Sequence, residues 1–260
     1  MKRNSITIIK VGGKIVEESE SLKQLLKDFS EIEGFKILVH GGGRSATQMA
    51  ERLGIESKMI NGRRITDQEM LKIVTMVYGG LVNKNIVAGL QALGVNALGL
   101  SGADLNLIRS EKRSVGDIDY GFVGDVKEVN TQHLASLISQ GIVPILAPLT
   151  HDKKGNILNT NADTIAGETA KALASEFDVR LVYCFEKKGV LMDEKDDDSV
   201  ISKLNKAGFE RYVQEGIIQG GMIPKLENAF ASVDAGVKEV VITMASAIND
   251  PGSGTHIYSV

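Results

Sequence analysis

Hydrophobic and polar positions along this chain follow short β-branched runs that alternate with helical spacings. The first run opens the stretch Ile6–Lys14, carries a single lysine at Lys10, and breaks on Gly12 and Gly13. This density of Ile, Val and Thr predicts a strand buried on both faces, as in a parallel sheet. Ligands of open α/β sheets bind beyond the carboxyl ends of the strands, so Lys10 could meet an anionic substrate there. The alternative is a lysine whose stem packs at the sheet edge while its head reaches water.

The remaining pattern predicts an α/β rhythm in both halves of the chain. Thr66 with Glu69 three residues later predicts a capping box at the start of a long helix, and Asn161 is a good N-cap candidate. Predicted helices cover about 22–32, 41–53, 66–93, 131–140, 161–174, 205–215 and 222–235. Predicted strands cover 36–40, 95–100, 142–149, 179–185, 237–243 and 255–260, and the Gly- and Asp-rich segment 107–129 predicts hairpins that cover a site.

The amino-acid composition and net charge argue against several classes of function. The chain has 260 residues, 43% of them hydrophobic and 5% aromatic, with 28 glycines and no tryptophan, which favours an aliphatic α/β core over an aromatic nucleic-acid binder. A net charge of −3 gives no global attraction for nucleic acid or anionic membrane. The single cysteine, Cys184, excludes an internal disulfide, and no stretch is expected to reach the length of a membrane span. We therefore expect a cytoplasmic protein with neither membrane nor nucleic-acid partners.

Two phosphate-binding patterns can be tested directly. The chain has no Gly-x-x-x-x-Gly-Lys-Ser/Thr run, which removes the P-loop class. Gly41-x-Gly43-x-x-Ala46 satisfies the loose dinucleotide pattern, so a nicotinamide-dependent oxidoreductase is an alternative from another class. Such a site also requires an acidic residue after the next strand, where this chain instead has Arg63 and Arg64. The aspartate run 196–198 predicts solvated surface, and no protein metal ligand is predicted.

Phosphate-compatible groups recur at predicted strand ends and helix starts. They lie in Lys10-Val-Gly-Gly, His40-Gly-Gly-Gly, Asn159-Thr-Asn-Ala-Asp163 and Gly220-Gly-Met-Ile-Pro-Lys225. Together with Asn61-Gly-Arg-Arg64-Ile-Thr and Gly121-Phe-Val-Gly-Asp-Val126, in this order and spacing, they make the chain resemble the amino acid kinase family over essentially its whole length. The resemblance implies a three-layer α/β/α sandwich with a mostly parallel central sheet.

The resemblance also implies a reaction, the ATP-dependent phosphorylation of the γ-carboxylate of an N-acylated glutamate. N-acetyl-L-glutamate, as in arginine biosynthesis, is the first choice, N-succinyl-L-glutamate is the alternative, and a carrier-linked aminoadipate is a more distant one. A γ-carboxyl group with a pKa of about 4.3 is already ionised at neutral pH, so no general base is needed. Catalysis is then mostly positioning and stabilisation of charge on the transferring phosphoryl group.

Site residues follow from the same resemblance. Lys10 would neutralise the transferring phosphoryl group and Lys225 the leaving side, while Asp163 would hold both lysines, although a first-turn aspartate is also favoured by the helix dipole alone. The implied substrate-binding residues are Gly42, Gly43, Arg64, which would grip the α-carboxylate, and Asn159, which would bind the acylamino group. The implied nucleotide-binding residues are Gly12, Gly13, Glu186, Lys187, Lys188, Gly189, Val190, Leu191, Ile217, Ile218 and Gln219.

The nucleotide loop departs from the family pattern, because relatives commonly carry Asp-Val-x-Gly-Val where this chain has Glu186-Lys-Lys-Gly-Val. Mg²⁺ is expected to arrive with ATP, coordinated by phosphates and water. The resemblance further implies an N-terminal lobe, 1–174, for the acylamino acid and dimerisation, and a C-terminal lobe, 175–260, for ATP. We expect a homodimer paired through helix 67–93 and insensitive to arginine, since the first strand begins at about Ile6 and leaves no room for the extra N-terminal helix of arginine-inhibited members.

Overall fold

The structure of the protein is a computed structural model, which describes residues 3–60 and 62–259. Asn61, the first residue of the Asn-Gly-Arg-Arg motif, lies outside the described residues. So does Val260, the last residue of the predicted closing strand.

A large sheet runs through the molecule. The strands are β1 Ser5–Val11, β2 Phe35–His40, β3 Met59–Ile60, β4 Arg63–Arg64, β5 Ala97–Leu100, β6 Ile108–Lys112, β7 Gly124–Val129, β8 Val143–Leu146, β9 Leu149–His151, β10 Ile157–Asn159, β11 Asp178–Phe185, β12 Lys203–Leu204, β13 Glu239–Met244 and β14 Thr255–Ile257. The sheet has the order β12-β14-β13-β11-β1-β2-β8-β5. All neighbours from β13 to β5 are parallel, and only β14 pairs antiparallel, with β13. The predicted mostly parallel sheet is confirmed, with β1 near its middle.

Helices cover both faces of this sheet. They are α1 Gly13–Glu17, α2 Ser19–Ser30, α3 Gly43–Arg52, α4 Gln68–Val74, α5 Asn83–Ala92, α6 Thr131–Ser139, α7 Ala162–Leu173, α8 Lys206–Gln214 and α9 Met222–Asp234. Side chains alternate along β1, so Ile8 packs into the core formed with α6, α7 and α9, whereas Ile9 packs into the core formed with α1 to α5. These two cores confirm the three-layer α/β/α sandwich.

Smaller sheets lie beside the central one. β10-β9-β6-β7 form a second sheet, which confirms the hairpins predicted for 107–129, and β3 pairs with β4. The single strand predicted for 142–149 was wrong, because β8 ends at Leu146 and β9 joins the second sheet from Leu149 onward. Pro148 lies between them and has no N–H to continue a ladder.

The long helix after the arginine pair departs from its prediction at two points. The capping box on Thr66 was wrong, because Asp67 is the N-cap and its side chain accepts the Met70 N–H at 2.8 Å. The hydroxyl of Thr66 instead accepts from the side-chain amide of Asn159 at 2.9 Å. Between α4 and α5 the segment Thr75–Val82 is a π-helix, and such segments are frequent at functional sites.

The continuous helix Gln68–Ala92 has 25 residues, and its most apolar 18-residue window has a mean hydropathy of 1.3, so by length and composition the helix could cross a membrane. The expectation that no stretch reaches that length was therefore wrong. In that window, 44% of the residues are buried inside the protein, and a helix packed in a protein core passes the same test. Two of its side chains, Met76 and Leu81, are 56% and 50% exposed.

Candidate active site

Lys10 is a buried cation at the carboxyl end of β1. It lies beside Tyr183 of β11, and its Nζ is 2.7 Å from Asp163 Oδ1. Asp163 stands in the first turn of α7, where the predicted N-cap Asn161 is confirmed because its side chain accepts the backbone N–H groups of Asp163 and Thr164. The sheet and the cap together thus bring a strand-end lysine and a helix-start carboxylate into one ion pair.

Lys225, on α9, lies close to the same place. Its Nζ lies 4.0 Å from the centre of the Phe185 ring, and Lys10 Nζ lies 5.2 Å from that ring. Burial is the main cause that lowers the pKa of Lys225; Asp163 raises it and Lys10 lowers it further. Two lysines therefore converge on one aromatic ring and one carboxylate.

Two glycine turns form the floor of the site, one after β1 and one after β2. They are in close contact, since a Cβ on Gly13 would lie 3.7 Å from the Gly43 nitrogen. A Cβ on Gly42 would lie only 2.8 Å from Tyr78 Cδ1, so the turn packs against the π-helical segment with no room for a side chain. Gly42 is the N-cap of α3 and supplies no side-chain cap. Backbone N–H groups at such a helix start favour anions.

His40 supports the glycine turn that follows β2. Its side chain is fully buried, and burial lowers its pKa to about 4. The side-chain amide of Asn83 donates to Nε2 across 3.1 Å, so Nδ1 carries the proton and donates to the Gly41 carbonyl at 2.7 Å. His40 is thus a neutral brace for the turn.

Two cavities meet at this centre. The larger, of about 630 Å³, and the smaller, of about 420 Å³, share Gly43 and Lys225 in their walls. The predicted residues that line the larger cavity are Gly42, Gly43, Arg64, Asn159, Asp163 and Lys225. Those that line the smaller cavity are Lys10, Gly12, Gly13, Gly43, Glu186, Lys187, Gly189 and Lys225. The structure thus brings the predicted substrate and catalytic residues together.

Arg64 lies in the wall of the larger cavity but is engaged by the protein. One guanidinium nitrogen donates to the Gly43 carbonyl at 2.8 Å and to Thr47 Oγ1 at 2.9 Å, and the other donates to Ser57 Oγ. These bonds anchor the arginine to the glycine turn. Its role towards a substrate carboxylate stays a prediction, and the neighbouring Arg63 lines the same cavity with an exposed side chain.

Several predicted nucleotide-binding residues lie outside the walls of both cavities. Val190 and Ile218 are each only 2% exposed and pack into the core, and the Val190 N–H donates to Thr255 Oγ1. Lys188 pairs with Asp198. The full set outside the two walls is Lys188, Val190, Leu191, Ile217, Ile218 and Gln219. Their assignment stays a prediction.

The structure adds wall residues that were not predicted from the sequence. Lys14 and Arg44 line the smaller cavity, and Tyr78 and Arg113 line the larger one. Lys14 and Arg44 had a signal, because each directly follows a glycine turn. Tyr78 had none, since it lies in an apolar helical run where an aromatic residue predicts core.

Two pockets that meet between a pair of lysines, on glycine turns of a mostly parallel sheet, are typical of an enzyme that moves an anionic group between two small molecules. Residues 5–244 match the amino acid kinase family, and the chain belongs to that family. Among similar proteins, the acetylglutamate kinase of Parabacteroides distasonis is 72% identical over 253 residues, covering 97% of this chain and 99% of that protein. The acetylglutamate kinase of Phocaeicola vulgatus is 74% identical over 255 residues, covering 98% and 99%.

Solved structures agree on the fold. The smu.665 protein of Streptococcus mutans has a TM-score of 0.82 at 30% identity, covering 98% of this chain and 99% of that one. Carbamate kinase from Giardia lamblia bound to AMP-PNP has a TM-score of 0.70 at 14% identity, covering 99% of both chains, and at that identity it shows the fold alone. The family resemblance inferred from the motifs is confirmed, and a nicotinamide-dependent oxidoreductase is not favoured.

Proposed function

We propose that this chain transfers the γ-phosphoryl group of ATP to the γ-carboxylate of N-acetyl-L-glutamate, which forms N-acetylglutamyl 5-phosphate for arginine biosynthesis. The observation that carries the proposal is the meeting of two cavities at Gly43 and Lys225, beside the Lys10–Asp163 ion pair. The names of relatives at 70–74% identity over nearly the whole chain support acetyl as the acyl group and do not favour N-succinyl-L-glutamate.

The chemistry needs cations more than it needs a base. The substrate carboxylate, with a pKa of about 4.3, is ionised at neutral pH and attacks the γ-phosphorus directly. A carboxylate O–P bond forms while the bond from the γ-phosphorus to the β,γ-bridging oxygen breaks, and ADP leaves with that electron pair. Lys10 would stabilise the transferring group and Lys225 the leaving oxygen, while Asp163 would keep the two like charges in place.

On the acceptor side, the N–H groups of Gly42 and Gly43 would bind the reacting carboxylate, and the amide of Asn159 would bind the acylamino group. Asn159 is already oriented by its hydrogen bond to Thr66. Arg64 would attract the α-carboxylate while holding the Gly43 carbonyl, so that the substrate and the turn share one cation.

On the donor side, Gly12 and Gly13 would bind phosphate, and the loop after β11 would border the nucleotide. No group of three or more His, Cys, Asp or Glu side chains among the described residues could hold a metal ion. Two of the carboxylates in the cavity walls are already ion-paired, Asp163 with Lys10 and Glu186 with Lys14. We therefore propose that Mg²⁺ arrives on the ATP phosphates, where it would neutralise charge and keep several waters.

We also propose which part of the chain binds each substrate and which oligomer the enzyme forms. Residues 1–174 would bind the acylamino acid, residues 175–260 would bind ATP, and the enzyme would act in the cytoplasm as a homodimer. Met76 and Leu81 support pairing through the long helix, since both are exposed apolar side chains on it. Sedimentation of the wild type should give a dimer, and Leu81→Glu should shift it towards monomer. A monomeric wild type, or a hexamer, would contradict this assembly.

Trapping of the acyl phosphate with hydroxylamine tests the reaction itself. Mg-ATP would be supplied with N-acetylglutamate, N-succinylglutamate or free glutamate, and the hydroxamate measured by its ferric colour. We expect a hydroxamate that requires ATP and N-acetylglutamate. A hydroxamate from N-succinylglutamate alone would change the proposed acyl group from acetyl to succinyl but leave the proposed reaction unchanged. No hydroxamate with any acceptor, together with binding of NAD(P)H, would overturn the proposal.

A further inference from the structure

Lys14, Arg44 and Glu186 form a charged cluster on the wall of the smaller cavity. Lys14 Nζ lies 3.0 Å from Glu186 Oε2, and Arg44 Nη2 lies 3.5 Å from Glu186 Oε1. Two cations thus share one carboxylate, which leaves the cluster with an excess positive charge.

The ion pairs of Glu186 with Lys14 and Arg44 contribute little to the stability of the fold. The side chains of Lys14, Glu186 and Arg44 are 41%, 49% and 59% exposed, and ion pairs at such exposure contribute little to folding. Because these ion pairs are weak, another anion can replace Glu186 as the partner of Lys14 and Arg44. Both cations directly follow the glycine turns that meet at the centre of the site.

We propose that Lys14 and Arg44 bind the polyphosphate of the donor nucleotide, and that Glu186 is the anion that holds them until the nucleotide displaces it. This inference rests on the proposed function, in which ATP occupies the smaller cavity. Two other lysines of that wall are paired with carboxylates outside it. Lys10 is paired with Asp163, and Lys187 is paired with Asp197 across 2.6 Å. Among the ion pairs of the described residues, those of Lys14 and Arg44 have their carboxylate, Glu186, on the wall of the smaller cavity.

The proposal changes the role of Glu186 from a nucleotide ligand to a competitor of the nucleotide. An ionised carboxylate cannot donate a hydrogen bond to phosphate, and it repels the negative charge. Removal of that charge should therefore free Lys14 and Arg44 and strengthen nucleotide binding. If Glu186 instead accepted hydrogen bonds from the ribose or adenine, removal of its charge would weaken nucleotide binding.

Titration calorimetry with Mg-AMP-PNP on the full chain tests both parts. Lys14→Met and Arg44→Met should each raise the Kd by roughly tenfold, the loss expected for one charge-assisted contact. Glu186→Gln should lower the Kd by about threefold, and this gain should shrink when Lys14→Met is also present, because the released cation is then missing. Lys23 and Glu20 provide a matched control, since they form a 2.7 Å pair on α2 with side chains 69% and 86% exposed. Lys23→Met and Glu20→Gln should leave the Kd unchanged.

The outcomes separate this inference from the function on which it rests. Wild-type protein that binds Mg-AMP-PNP and forms the hydroxamate keeps the proposed function, whatever the variants do. In that case, an unchanged Kd in both cation variants, or a raised Kd in Glu186→Gln, overturns the roles assigned here. Wild-type protein that fails to bind the nucleotide overturns the function and the inference together. Circular dichroism of each variant confirms that a changed Kd does not reflect unfolding.

Discussion

Lys10 Nζ lies 2.7 Å from Asp163 Oδ1, with only 8% and 12% of the two side chains exposed. The pair joins the end of β1 to the start of α7, and Lys225 contacts the same Phe185 ring as Lys10. Removal of one partner of a buried ion pair leaves the other charge uncompensated. We therefore expect Asp163 to have two tasks, which are to neutralise Lys10 and to keep a second cation nearby.

Asp163→Asn should lower kcat by about a hundredfold and change the KM values much less, because the lost charge orders cations that act in the transition state. Hydroxamate formation at saturating ATP and acceptor measures this split. Glu168→Gln is the control, because Glu168 lies on the same helix in a 2.8 Å pair with Lys171 that is away from both cavities. A loss confined to KM would contradict the role of Asp163.

Activity should fall at alkaline pH because of Lys225. Burial lowers the pKa of Lys225 from its ordinary value of 10.5, so its positive charge is present at low pH and is lost earlier than usual as pH rises. We expect kcat of the wild type to fall as pH rises through the lowered pKa of Lys225. Lys225→Arg keeps a charge to higher pH, so its kcat, though lower, should stay level. An identical alkaline fall in both proteins would assign that titration to another group.

Much of this architecture follows from local pattern. The β-branched run before Gly12 predicts β1 and its burial, and the Asn161 side chain caps α7 as its residue type predicts. Strand-end and helix-start positions then place Lys10 and Asp163 at the same edge of the sheet. The α/β rhythm is therefore within reach of short-range signals, whereas the pairing of Lys10 with Asp163, which lie far apart in the chain, was implied only by the family resemblance.

Other contacts depend on distant parts of the chain and carry no local signal. Thr66 resembles an N-cap by spacing, yet it binds Asn159, 93 residues away, and leaves the cap to Asp67. Tyr78, in the π-helical part of the long helix, packs against the glycine turn at Gly42. Such pairings arise from tertiary packing, which overrides local propensity.

Gly42→Ala should impair the enzyme through a steric clash, since the added methyl group would lie 2.8 Å from Tyr78 Cδ1. We expect kcat/KM for the acylamino acid to fall by roughly tenfold or more, because small displacements of a positioning turn are costly. Tyr78→Ala in the same chain should restore part of the loss. Gly80→Ala is the matched control, as its Cβ would meet nothing within 4 Å. A double variant no better than Gly42→Ala would show that the clash is not the cause.

His40 should make the protein lose stability in mild acid. Burial lowers its pKa from 6.5 to about 4, so between these values the unfolded chain binds a proton that the folded chain does not. The contribution is fully present above pH 6.5 and is lost as pH falls towards about 4, by up to about 3 kcal/mol. His40→Asn should be less stable at pH 7 and should show a shallower decline, measured by urea unfolding at each pH. His133→Asn, at an exposed histidine of α6, should keep the wild-type slope. An unchanged slope in His40→Asn would mean that other groups cause the acid loss.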